Sequence, residues 1–64
     1  MGKMQVSKTY KLVDSSIGNL LGFRDNDEVI VTNTKIQNKY VEVVSTLNKN
    51  LVGYTFKENL RENT

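Results

Sequence analysis

Between Glu28 and Phe56 the chain is a succession of short β-branched runs separated by polar turns, and this pattern constrains its fold most. Glu28-Val29-Ile30-Val31-Thr32 alternates as a strand does. Asp25-Asn26-Asp27 before it is a turn signal, because Asp and Asn bond their own main chain and tolerate left-handed backbone. Asn33 to Lys39 is a polar loop around one apolar residue, Ile36. Tyr40-Val41-Glu42-Val43-Val44-Ser45-Thr46 is a second strand, with Val41 and Val43 on one face and Tyr40 and Glu42 on the other. Asn48-Lys49-Asn50 turns the chain, and Leu51 to Phe56 returns as a third strand. Gly53 within it marks a bulge, a bend or a close approach of backbone. Short strands at this spacing predict an all-β barrel or sandwich.

The flanks are less regular. Gln5 to Val13 reads as a strand whose apolar points are Val6, Tyr10, Leu12 and Val13. Asp14 to Gly22 admits two readings: a helical turn capped by Asp14 or Ser15 and ended by Gly22, or a long irregular hairpin loop. Gly18 would cost such a helix roughly 1 kcal/mol against Ala, which favours the loop. Lys57-Glu58-Asn59 fits one short helical turn, and Arg61 to Thr64 are expected to fray. The expected core is Leu20, Leu21, Phe23, Val29, Val31, Val41, Val43, Val44 and Leu60.

Sixty-four residues make one domain, 1–64, with 1–8 and 61–64 as its flexible ends. A chain of this length buries only about 60% of the surface its unfolded form exposes. The sequence has no Cys and no His, so disulfides and the usual nitrogen and sulfur ligands of zinc are absent. Barrel closure or oligomerisation is then the expected source of extra stability. No apolar run approaches the roughly 20 residues of a membrane span, and a cytoplasmic protein is the expectation.

The same composition argues against catalysis. Without His or Cys, the commonest general base and the strongest nucleophile are missing, so neither an enzyme nor a cofactor is expected. Asp25, Asp27 and Glu28 cluster in sequence but lack the calcium-loop pattern, and a solvated turn accounts for them. The net charge of +2 and pI near 9.0 permit nucleic-acid contact without demanding it. Acids alternate with the bases along the chain, which describes an ordinary solvated surface. Tyr40 and Tyr54 on a polar strand face supply flat contact area with a hydrogen-bonding tip, which suits recognition. The competing reading is that the rings cover the edge of a small core.

From about Thr9 to Glu62 the chain resembles Src-homology-3 domains. Lys11-Leu12-Val13-Asp14-Ser15 sits where that family has Ala-Leu-Tyr-Asp-Tyr, and Phe23-Arg24-Asp25-Asn26-Asp27-Glu28-Val29 resembles its diverging turn, with Asn26 in place of Gly. Lys39-Tyr40-Val41-Glu42-Val43 falls at its paired Trp residues, and Gly53-Tyr54-Thr55-Phe56-Lys57-Glu58-Asn59-Leu60 resembles Gly-Tyr-Ile-Pro-Ser-Asn-Tyr-Val. The departures lie in the proline-peptide groove: Val13, Ser15, Phe56 and Asn59 replace groove residues, and the loop from Ser15 to Leu21 carries no acid. Val13 to Val29 is also similar to the core of AbrB-type swapped-hairpin DNA-binding proteins, which have a short helix after Ile-Pro and then Leu-Gly-Ile.

The first resemblance implies a small Src-homology-3-like barrel of about five short antiparallel strands, with a short helical turn near the C-terminus. It implies a non-catalytic module, an adaptor or regulator, that binds a protein or peptide through Tyr40, Tyr54, Phe56 and Asn59. The second implies a DNA-binding protein, and independently of it the mildly basic surface allows a small DNA- or RNA-binding regulator using Lys8, Lys11, Arg24, Lys35 and Lys39.

Overall fold

The computed structural model describes residues 8–36 and 39–62, so the beginning of the expected first strand, with Val6, lies outside the described residues. Five strands follow in chain order: β1 (Thr9–Leu12), β2 (Glu28–Asn33), β3 (Tyr40–Ser45), β4 (Val52–Phe56) and β5 (Leu60–Glu62). A 3₁₀ turn, Lys57–Asn59, joins the last two. All pairings are antiparallel, in one sheet of order β4-β3-β2-β1-β5.

Period-two alternation decides what faces inward. Tyr10 and Leu12, Val29 and Val31, and Val41 and Val43 project into one core, and Leu20 and Phe23 reach it from the loop between β1 and β2. Leu12, Val29, Val31, Val43 and Thr55 are completely excluded from water. Each buried Val or Leu contributes about 1.5–3 kcal/mol, the dominant favourable quantity in so small a domain. Gly53 also faces inward, and close approach explains it: a Cβ there would stand 2.8 Å from Leu20 Cδ2 and from Phe23 Cε1.

The sheet does not close by strand pairing; β4 and β5 are its two edges. Chain geometry accounts for this, since β4 runs into the 3₁₀ turn and then β5, leaving no ladder between them. The segment from Asp14 to Gly22 lies along β4 instead. Asn19 N donates to the Tyr54 carbonyl (2.7 Å) and Tyr54 N to the Asn19 carbonyl (2.9 Å). The segment is an irregular loop and not a helix. Gly18 (φ +100°) and Gly22 (φ +93°) adopt left-handed backbone, and a Cβ on Gly18 would collide with the Tyr54 carbonyl.

Four placements differ from expectation. Leu21 is 89% exposed at a loop tip, because Leu20 takes the inward position and Gly22 abuts Leu51. Val44 is half-buried on the outer face, as alternation with the buried Val43 requires. Tyr10 and Leu12 complete the core, with Leu60 packed against it. Arg61 and Glu62, expected at a fraying end, belong to β5 and pair with Lys11 and Tyr10.

Candidate functional site

The outward residues of β3 and β4 form successive cross-strand rows. Tyr40 pairs with Phe56, Glu42 with Tyr54, and Val44 with Val52. The Tyr40 and Phe56 rings stack at a centroid distance of 4.6 Å and an interplanar angle of 15°, both half-buried. Such a pair contributes about 0.5–1.5 kcal/mol beyond its buried area. Tyr54 donates its phenol proton to Glu42 Oε2 at 3.0 Å. That bond, and the adjacent negative charge, hold the Tyr54 phenol above its ordinary pKa.

β2 completes the arrangement through an irregularity. Its register with β3 shifts between Val31 and Asn33, as at a β-bulge. Thr32 beside the shift donates its hydroxyl to Glu42 Oε1 at 2.7 Å. Both carboxylate oxygens of Glu42 thus accept from neutral hydroxyls. Among the described residues no Lys or Arg pairs with this half-buried acid.

Tyr40, Tyr54 and Phe56 therefore share one face. Asn59 does not join them. It is buried at 4% exposure, with Oδ1 accepting from Asp14 N (3.0 Å) and Nδ2 donating to the Asp14 carbonyl (2.8 Å) and Thr55 Oγ1 (3.0 Å). Thr55 donates in turn to the Ile17 carbonyl at 2.6 Å. This network fastens the long loop to the 3₁₀ turn, a structural task that an isolated sequence position does not announce.

The five candidate cations are dispersed. Lys8 Nζ is bound to Glu62 at 2.9 Å, and that hydrogen bond raises its pKa. Lys11 lies opposite Glu28 on β2 and Arg61 on β5, and Arg24 precedes the Asp25–Asn26 turn. Lys35 and Lys39 lie beyond the other end of β2, which is about 17 Å long at the usual rise per residue. A pocket of about 80 Å³ beside Lys11, Asn26 and Arg61 is well below the few hundred Å³ of a small-molecule site.

The clustered acids bond neighbouring backbone and hydroxyl groups. Asp25 accepts from Ser15 N and Oγ, Asp27 from Arg24 N, and Glu28 from Thr46 Oγ1. Asn26 between them has φ 69°, the left-handed geometry expected of a residue standing in for Gly. Among the described residues no three acids converge as a metal site, and no helix is long and apolar enough to cross a membrane. Alternation signalled that Tyr40 and Glu42 share a face; the contribution of Thr32 depends on the register shift and has no sequence signal. Protein-family models, curated proteins and solved structures give no match to this chain.

Proposed function

We propose that this domain is a divergent Src-homology-3-like module that binds a protein or peptide, without catalysis, through Tyr40, Tyr54 and Phe56. Three features support the fold assignment. The sheet order places β1 between β2 and β5, a long irregular loop joins β1 to β2, and a 3₁₀ turn precedes the last strand. The loop form of Asp14 to Gly22 fits this reading better than the AbrB-type one, which calls for a short helix there.

One observation carries the functional part: the stacked Tyr40–Phe56 pair lies on the outer face of the sheet, away from the core. Rigid aromatic rings with partial exposure lose little conformational entropy when covered, which is why Tyr and Trp dominate binding hot spots. The core does not depend on them, since the inward positions of the same strands are Val41, Val43, Gly53 and Thr55.

A displayed peptide library selected on the wild-type domain and re-tested on Tyr40→Ala examines this reading. Enriched peptides should lose at least about tenfold in affinity, the weight of a modest hot spot. The variant should still unfold cooperatively, with its melting temperature lowered by roughly 5–15 °C for the lost stack and buried area. Peptides that bind a folded Tyr40→Ala domain equally well would remove this face from the function.

A further inference from the structure

We propose that the Glu42 carboxylate is the recognition point for an arginine side chain of the partner, an inference that rests on the binding face described above. Each oxygen of Glu42 already accepts one hydrogen bond from a neutral hydroxyl, Tyr54 on Oε2 and Thr32 on Oε1. Each oxygen retains a further lone pair, because a carboxylate offers about four acceptor sites. The two hydroxyls fix the carboxylate plane without neutralising its charge. Among the described residues no cation does so either. A half-buried, oriented carboxylate with no cation beside it among the described residues is poised for a fork of two parallel N–H donors.

The neighbouring rows select the donor. Tyr40 and Phe56 stand one row along the strands from Glu42 and Tyr54. Residues two apart on a strand are about 7 Å apart, so a planar cation on Glu42 lies beside the stacked Tyr40 and Phe56 rings. On the other side of Glu42 is an apolar row, Ile30, Val44 and Val52, with Val52 45% exposed, on which the methylene stem of a long side chain can lie. Planarity, bidentate donors and stacking favour guanidinium over the compact ammonium of Lys. The recognised chemistry is therefore an arginine in an extended segment.

The test is an amide NMR titration of the whole chain with N-acetyl-arginine methylamide, its neutral citrulline analogue and the lysine counterpart. The arginine probe should produce saturable shifts confined to Thr32, residues 40–44 and residues 52–56. Citrulline should bind at least about tenfold more weakly, as loss of a charge-assisted pair demands, and lysine should fall between. Glu42→Gln keeps one acceptor oxygen and turns the other position into an amide donor that the facing hydroxyl oxygen can accept from, and it should abolish the preference for arginine over citrulline. Tyr40→Leu should weaken arginine alone, by several-fold. Equal binding of arginine and citrulline, or arginine shifts that map elsewhere, would overturn the inference. Library peptides that need Tyr40 but show no arginine enrichment would also overturn it, while leaving the binding face intact.

Discussion

Replacing Asn59 by Ala should destabilise the domain far more than its place in a three-residue turn suggests. The side chain makes three hydrogen bonds, two to the Asp14 peptide groups and one to Thr55 Oγ1. At a net 0.5–1.5 kcal/mol each, the loss spans about 1.5–4.5 kcal/mol. Asp14 is only half-buried, so water recovers part of its bonding, and Thr55 keeps its own bond to the Ile17 carbonyl. About 2–3 kcal/mol remains. A domain of 64 residues has about 3–10 kcal/mol in total at 0.05–0.15 kcal/mol per residue. With a urea slope near 1 kcal/mol/M, the midpoint should fall by about 2–3 M. Amide exchange should accelerate first at residues 14–19, the stretch the network fastens. A second variant adds a sign. Asn59→Asp keeps the acceptor for Asp14 N but buries a carboxylate against the Asp14 carbonyl. Its folded pKa is thus raised, and the destabilisation should shrink as pH falls below the carboxylate range. A change under about 1 kcal/mol for Asn59→Ala, with unchanged exchange in the loop, would refute the claim that this network holds the loop in place.

Gly18→Ala should cost about 2–5 kcal/mol, combining left-handed strain with the collision at the Tyr54 carbonyl, and thermal melting reads it. At Asn26 (φ 69°) Val should cost about 1–2 kcal/mol more than Gly in urea titrations; equal stabilities would deny the strained geometry. The raised pKa of Tyr54 implies stability that is fully present below the ordinary phenol value and is lost as pH rises through the folded value. Tyrosinate absorbance should show Glu42→Gln lowering that transition, and an unchanged titration would sever the Tyr54–Glu42 link.

Much of the fold is legible because its strands alternate strictly. Val29 and Val31, and Val41 and Val43, announce their inward face by spacing alone, and Asn26 announces its turn by backbone chemistry. The loop is not legible in this way. Which of Leu20 and Leu21 is buried depends on a turn at Leu21–Gly22 and on Leu51 packing against Gly22, some thirty residues away in sequence. The site divides similarly. The Tyr40–Phe56 stack follows from register, whereas the Glu42 arrangement needs a shift on a third strand. Asn59 misleads because the resemblance sets it at a groove position, and only the tertiary structure shows its partners to be the Asp14 peptide groups and the Thr55 hydroxyl.

The pairing of β1 with β5 sets Tyr10 beside Glu62, two positions that span almost the whole described chain. Opposed residues in an antiparallel ladder have their α-carbons only about 5 Å apart. The polypeptide therefore enters and leaves the domain at neighbouring points, as the two wires of a plug do. Such a unit can be spliced into an exposed loop of another protein with little distortion of the host. The same closure requires the most distant parts of the chain to meet, so the β1–β5 ladder bears the largest loop entropy of any in the sheet. Severing the sequence between β3 and β4 and joining its ends would make the three-pair β1–β5 ladder local but turn the five-pair β3–β4 hairpin into the longest-range contact, and should slow folding without altering the native sheet.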